Sequence, residues 1–442
     1  TFLLADLIAR TIALTGLEVQ LIQNITDVGH MADDFQEDGA EGDKMLAESK
    51  RTNIDPFDIA RRYEERFHQD LARLNVIPAN LYPKASENMT EMIAAIEELI
   101  ANKSAYVGSD GSVYFDAASC ASYGAISGNK LDSLKPGHRY EYTDEGGKKF
   151  HADWALWKVA GSRTQMIWDS PWGPGFPGWH IECTAMSTKY LGKQFDIHGG
   201  GMDLKFPHHE DEIAQSCGSF GCNPARYWMH ANMLNVNGQK MSKSFGNYFL
   251  PKQILDGSTG LFDKSYSANV VRFFMMQAHY RSNLDFTQDA LNAAEKGLSK
   301  LTDAIATLER IQPAAQSSFD VNMLVQSFYK AMNDDFNAPI LVANLFEATR
   351  LINLVNDGKE HISSPDLALL KEKMTVFAYD VLGLQKEAAG SESRLAPVME
   401  LVLDLRGQAR TNKDWTTSDQ IRDGLAKAGI VVKDGKDGTT WS

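Results

Sequence analysis

Near residue 268 the hydrophobic pattern of this chain changes period, and the change separates two kinds of structure. Before it, short apolar runs alternate with helical patterns and glycine turns. "FLLADLIARTIALTG" places Leu4, Leu7, Ile8 and Ile12 on one helical face and stops at Gly16. "LEVQLIQNITD" follows as an expected strand, so the order is helix, glycine turn, strand, as in an α/β domain. After residue 268, "DALNAAEKGLSKLTDAIATLERI" and "NMLVQSFYKAMNDDF" hold a long amphipathic repeat. That repeat predicts a helical bundle up to about Leu384. "QKEAAGSES" reads as a linker. Beyond it, helices near 395–411 and 415–428, the strand "IVVK" and the turn "DGKDG" predict a small appended α/β module.

Within the first half, helices are expected near 55–74 and 86–102. "AYVGSDGSVYFD" alternates about Asp110-Gly111 and predicts a hairpin. With the polar, turn-rich stretch after it, residues 107–150 read as an insertion lobe. Residues 28–43 read as an acidic, glycine-containing surface loop.

The net charge is −14, from 44 basic and 58 acidic residues, which excludes a protein that coats nucleic acid through a basic footprint. A nucleic-acid partner held by local patches stays open. Four scattered cysteines, Cys120, Cys183, Cys217 and Cys222, do not make a disulfide framework and point to reduced thiols in the cytoplasm. No apolar run approaches the roughly 20 residues of a membrane span, so no membrane partner is expected.

Three segments carry chemistry. In "DIHGGGMDLKFPHHEDE" the glycines Gly199, Gly200 and Gly201 follow an apolar strand and would let a flat or charged ligand approach the backbone. Asp203 stands where an acid could accept a ribose hydroxyl. A tight structural turn is the alternative. Pro207 opens a helix that puts His208 and Glu212 at i and i+4 on one face. An imidazole and a carboxylate so placed can reach one Zn²⁺, with Cys183 of "GWHIEC" the best third donor. The alternative makes His208 a helix cap and Cys183 a buried thiol. Cys217 and Cys222 form a lone C-x4-C pair that reads better as free thiols. In "GQKMSKSFGN", flexible glycines would let Lys240 and Lys243 close on a polyphosphate, where ammonium groups neutralise phosphate oxygens.

"KMSKS" together with "GWHIEC" and "DIHGGGMDLKFPHHEDEIAQS" resembles the class I cysteinyl-tRNA synthetases. The resemblance runs along nearly the whole chain and includes "NITDVGH", "ADWALWK", "VVRFFMMQAHYRSNLDF" and "SDQIRDGLAKAGIVVKDGKDGTTW". It implies a Rossmann-like parallel-sheet catalytic domain over 1–106 and 151–236, interrupted by the lobe at 107–150. A KMSKS region at 237–267, a tRNA-binding bundle at 268–385 and an anticodon-binding module at 386–442 would follow.

It also implies a two-step reaction, in which ATP, with Mg²⁺, and L-cysteine give cysteinyl adenylate, whose aminoacyl group passes to the 3′ end of tRNA(Cys). Lys240 and Lys243 would be catalytic, Lys243 on the ATP phosphates, with Gly199, Gly200, Gly201 and Asp203 under the adenosine. Thr26 and Trp179 would line the amino-acid pocket. Cys183, His208 and Glu212 match three of four zinc ligands, one Zn²⁺ per chain. A borderline-soft metal prefers sulfur to oxygen, which would separate cysteine from serine where shape alone cannot. The family's HIGH signature and fourth, N-terminal cysteine ligand do not occur in a sequence that begins at Thr1; an upstream stretch is expected to carry them.

Two other readings compete. One is a related mycothiol-pathway ligase with an amino-sugar acceptor; the basic residues Arg406, Arg410, Lys413 and Arg422 favour tRNA over it. The other is a non-catalytic RNA-binding paralogue, against which the KMSKS loop and the zinc set argue. A monomer is expected.

Overall fold

The computed structural model describes residues 1–29, 43–131, 147–386, 392–412, 414–427, 432–435 and 438–441. The chain divides into two units, Thr1–Leu384 and Gln385–Ser442.

The first helix, Phe2–Leu14, buries Leu3, Leu4, Leu7 and Ile8 as its periodicity predicts. The expected strand in "LEVQLIQNITD" does not form. Among the described residues the segment makes two isolated parallel bridges, Ile22 to Leu81 and Ile25 to Lys84. Its partner segment contains Pro83, which has no N–H to give to a ladder, so pairing stays intermittent. Most of the acidic loop at 28–43 and part of the insertion lobe lie outside the described residues.

Helices Pro56–Arg73 and Met89–Ala101 occupy the expected stretches. The hairpin about Asp110-Gly111 forms, with Gly111 at φ 85°. It belongs to a four-stranded antiparallel sheet of Ala105–Val107, Val113–Phe115, Trp154–Val159 and Gly175–Pro177 in that order. The sheet therefore runs across residue 150, with Val113 paired to Trp157. Val113, Phe115, Leu156 and Trp157 pack against Met92, Ile96 and Leu99 of one helix and Ile181 and Met186 of another. This second core fixes the helix Trp179–Leu191, which carries Cys183.

Next comes a parallel pair, Phe195–Gly201 beside Ala225–Ala231, joined through the helix His208–Phe220. Gly199, Gly200 and Gly201 are thus part of the strand itself, paired with Met229, His230 and Ala231, and do not form a turn after it. A three-stranded sheet follows. Leu234–Val236 is central, antiparallel to Gln239–Lys240 and parallel to Leu284–Phe286.

From residue 268 to 381, apart from the strand Leu284–Phe286, the structure is mainly helical: Ala268–Met276, Gln288–Leu308, Val321–Asn333, Ala338–Asn356 and Ser364–Thr375, then a π-helical turn at Val376–Val381. Asp320, Asn337 and Ser363 each cap a helix with their side chains. Ala338–Asn356 has 19 residues and mean hydropathy 1.3, long and apolar enough to cross a membrane. Its Leu341, Val342, Leu345 and Ile352 are buried in the bundle core beside Phe328 and Phe377. In the C-terminal unit, helices Glu392–Thr411 and Trp415–Lys427 precede the hairpin strands Val432–Gly435 and Gly438–Trp441. Lys413 and the tip of the "DGKDG" turn lie outside the described residues.

Candidate functional site

A cavity of about 1790 Å³ opens where the N-terminal helix, the strand Phe195–Gly201 and the helices of Cys183 and His208 converge. Thr26, Trp179, Cys183, Gly199, Gly200, Gly201, Asp203, His208 and Glu212 all line it. Lys240 and Lys243 do not.

Burial builds the centre of the site. Glu212 follows His208 by one helical turn, and its Oε1 lies 3.2 Å from His208 Nε2. Cys183 Sγ, on the neighbouring helix, is 3.5 Å from that same nitrogen. The ligand atoms of Cys183, His208 and Glu212 all lie within 4.8 Å of one another. His208 and Glu212 are buried, and Cys183 is half-buried. Burial pushes the Cys183 thiol well above its ordinary pKa, and the Glu212 and Glu182 carboxylates add to the shift. Burial holds His208 well below the ordinary imidazole value, against the pull of Glu212. A neutral imidazole, a thiol and a carboxylate converging on one point are the donor types that Zn²⁺ takes. The Trp179 ring lies against His208, tilted by 32° with ring centroids 4.1 Å apart, and remains 40% exposed beside the cavity.

Gly200 is where the strand needs glycine for space. A Cβ there would meet Cε1 of His209 at 2.6 Å, so the missing side chain lets that ring press onto the strand. Asp203 is exposed on the short turn Met202–Lys205, beside the strand end.

The lysine loop is built differently. Lys240 ends the hairpin strand Gln239–Lys240, and Lys243 lies in the turn after it; both side chains are exposed. Asn247 holds the loop's backbone, accepting from Ser242 N at 2.8 Å and donating to Lys240 O at 3.1 Å. Ser242 and Ser244 contact each other at 3.0 Å between hydroxyl oxygens. Lys243 Nζ sits 5.5 Å from the centre of the Tyr248 ring, a weak cation–π contact.

The chain was compared with known proteins. Residues 1–296 match the profile of the tRNA synthetases class I (C) catalytic domain. Residues 327–386 match the DALR domain, and residues 393–441 the cysteinyl-tRNA ligase anticodon binding domain. A cysteine–tRNA ligase of Phocaeicola vulgatus is 47% identical over 444 residues, covering 99% of this chain and 89% of the relative. The chain belongs to the class I cysteinyl-tRNA synthetase family. A Bacteroides fragilis cysteine–tRNA ligase is 45% identical over the same shares of both chains. Among solved structures, the Mycobacterium tuberculosis methionyl-tRNA synthetase in complex with methionyl-adenylate superposes with a TM-score of 0.56 at 13% identity. It covers 86% of this chain and 85% of that one, and bears on the fold alone.

In this cysteinyl-tRNA synthetase family member, several polar residues around the cavity escaped the reading of the sequence. His180, one turn before Cys183, is buried, and its Nδ1 is 2.7 Å from His208 Nδ1. Desolvation lowers its pKa to about 3. His209 pairs with His230 at 2.8 Å, and burial lowers their pKa values to about 2 and about 4. His198, His209 and Glu212 form a second tight donor group sharing Glu212 with the first. Glu182 is buried, and burial raises its pKa well above the ordinary range, against the pull of the Thr26 hydroxyl beside it. The i, i+3 pair His180 and Cys183 was visible in "WHIEC", but helical spacing alone does not say which face is buried. Neither tight group includes Cys217 or Cys222, which are free thiols.

Proposed function

We propose that this member of the cysteine–tRNA ligase family activates L-cysteine with ATP, Mg²⁺ and one Zn²⁺ in the cavity lined by Cys183, His208 and Glu212, then transfers it to tRNA(Cys). The convergence of those three ligand atoms within 4.8 Å, on the wall of the cavity that also holds Thr26, Trp179 and the Gly199–Gly200–Gly201 strand, carries the reading. Bound there, Zn²⁺ would supply a borderline-soft acceptor that favours the substrate sulfur over a serine oxygen.

The protein's own residues do the rest. Trp179 closes the side of the pocket above His208, which keeps water from the donor set. Thr26 brings a hydroxyl to the same wall, suited to a polar group of the amino acid. The bare strand edge at Gly199 leaves room for a flat ring, since a Cβ there would meet nothing closer than 3.7 Å. Asp203 stands at its end as an acceptor for a ribose hydroxyl. Lys240 and Lys243 are outside the cavity wall and come to the ATP phosphates by movement of their loop. Gly238 and Gly246, at φ 78° and 66°, are the positions where its backbone takes conformations that favour glycine. Lys243 then offsets charge developing on the phosphates as pyrophosphate leaves. The helical bundle and the C-terminal module would hold the tRNA. The anticodon-domain match over 393–441 favours that acceptor over an amino sugar.

The test is cysteine-dependent exchange of pyrophosphate into ATP by the full chain, followed by charging of tRNA(Cys). Exchange that needs cysteine but transfers to an amino sugar and never to tRNA would replace the acceptor. Exchange that ignores cysteine would overturn the substrate.

A further inference from the structure

His208 can serve a metal only through Nε2, the nitrogen that faces Cys183 Sγ and Glu212 Oε1. Its other nitrogen, Nδ1, must then carry the proton. Nδ1 lies 2.7 Å from His180 Nδ1, and two ring nitrogens that close share one hydrogen, so His180 Nδ1 must accept. The proton of His180 is thereby placed on Nε2, which is 3.2 Å from Asp211 Oδ2. The other oxygen of Asp211 accepts from the Tyr123 hydroxyl at 2.6 Å. The chain of bonds is unbranched along the rings. With a carboxylate at one end, each ring has only one proton arrangement that satisfies every bond: Tyr123 O–H and His180 Nε2–H both donate to Asp211, and His208 Nδ1–H donates to His180.

A second feature anchors the far end of this chain. Glu210, fully buried beside Asp211, accepts backbone N–H bonds from Gly124 at 3.0 Å, Ile126 at 2.7 Å and Ser127 at 2.6 Å. Three donors on one carboxylate bolt the segment that carries Tyr123 to the first turn of the His208 helix. The bolt and the proton chain start from adjacent residues, so the segment cannot shift without disturbing both.

We propose that Tyr123, Asp211 and His180 are positioning residues that hold His208 in its Nδ1–H tautomer, so that the insertion segment around Tyr123 tunes metal affinity and cysteine recognition. The inference rests on the zinc reading of Cys183, His208 and Glu212. Partners of this kind orient a metal-binding imidazole and raise its basicity. Asparagine at 211 can still accept from His180, but it lacks the charge that favours a proton on Nε2 and cannot accept from both neighbours through two oxygens.

The experiment is competition for Zn²⁺ against a chelator of known affinity, using the full chain and its Asp211→Asn, Tyr123→Phe and doubly substituted forms. Asp211→Asn should bind Zn²⁺ about 10–100-fold more weakly. Tyr123→Phe, two bonds removed from the metal, should lose about fivefold, the net worth of one ordinary hydrogen bond. The double variant should bind no more weakly than Asp211→Asn alone, since both act through one path. In exchange assays the KM for cysteine should rise while the KM for ATP holds, a split that general loosening of the fold would not give. Tyr123→Phe removes one oxygen from a half-buried ring, so it carries the test if Asp211→Asn does not fold. Wild-type protein that binds no Zn²⁺ would remove the zinc reading and this inference together. Wild-type binding with unchanged affinity in both single variants would overturn the positioning chain and leave the zinc reading standing.

Discussion

The helix pair carrying Cys183, His208 and Glu212 and the loop carrying Lys240 and Lys243 stand at opposite ends of the burial scale. His208 is 4% exposed and Glu212 2%, and contacts with the buried His180 and the half-buried His198 hold them. Lys240 and Lys243 are exposed; Asn247 ties down the loop's backbone, and Lys243 has a weak contact with the Tyr248 ring. On the proposed function, the difference follows from the ligand each region would meet. A thiol and an imidazole become good metal donors only where neighbours fix their direction, so the fold provides the desolvation in advance. An ammonium group needs only proximity to phosphate, and keeping it hydrated until the polyphosphate arrives avoids burying an unpaired charge. One region is ordered before its ligand, and the other is left for the ligand to order.

Four measurements can break or sharpen that contrast. The largest effect is expected from Cys183→Ser, which removes a donor from the ordered region. Zn²⁺ affinity should fall well beyond the roughly 100-fold that loss of an outer partner costs, read by chelator competition. A loss of less than tenfold would show that the three side chains do not act as one site. Next is Lys243→Ala in the loop. Adenylate formation should slow by about 10²–10³-fold, the usual cost of removing one preorganised charge partner, while the cysteine Kd stays unchanged. An unchanged rate with weakened cysteine binding would move Lys243 out of its assigned place.

Two glycines offer a smaller version of the same comparison. Gly200→Ala would push a Cβ to within 2.6 Å of the His209 ring, and overpacking of this kind costs about 1–3 kcal/mol. In Gly246→Ala the new Cβ meets nothing within 4 Å, and only the positive φ of 66° is strained. That strain costs about 1 kcal/mol. Denaturant midpoints should separate the two, and equal losses would mean that the strand is as yielding as the loop. The fourth measurement varies pH and changes no residue. The Cys183 thiol keeps its proton above its ordinary pKa, so a metal must displace that proton, whereas His208 is already neutral. Zn²⁺ affinity should therefore weaken as pH falls, by about tenfold per unit for one displaced proton. A flat profile between pH 6 and about 8 would remove the thiolate from the donor set.

Local signals in the sequence marked both regions as candidates, and the family resemblance then suggested their roles. The i, i+4 spacing of His208 and Glu212 put them on one face before any fold was known, and the two glycines marked the lysine loop. Long amphipathic runs predicted the bundle, and the turn chemistry of Asp110-Gly111 predicted the hairpin. What escaped depends on partners far apart in the chain. His180 meets His208 across 28 positions and Tyr123 meets Asp211 across 88, and no spacing rule connects them. The glycines at 199–201 were expected to follow the strand, with a tight turn as one alternative, because glycine is depleted in strands. Pairing with Ala225–Ala231 overrode that propensity and drew them into a strand. The stretch at "LEVQLIQNITD" failed the other way: it has strand propensity, but Pro83 in the facing segment leaves it without a continuous partner.

The central claim is that the ordered donor set selects the substrate through a metal. It is tested most directly by stripping metal from the full chain, then measuring cysteine- and serine-dependent pyrophosphate exchange with and without one equivalent of Zn²⁺. The account predicts that the stripped protein loses its preference for cysteine over serine and that Zn²⁺ restores it. A stripped protein that still rejects serine would contradict it, and would leave Cys183 as a half-buried thiol beside a cavity that recognises cysteine by other means.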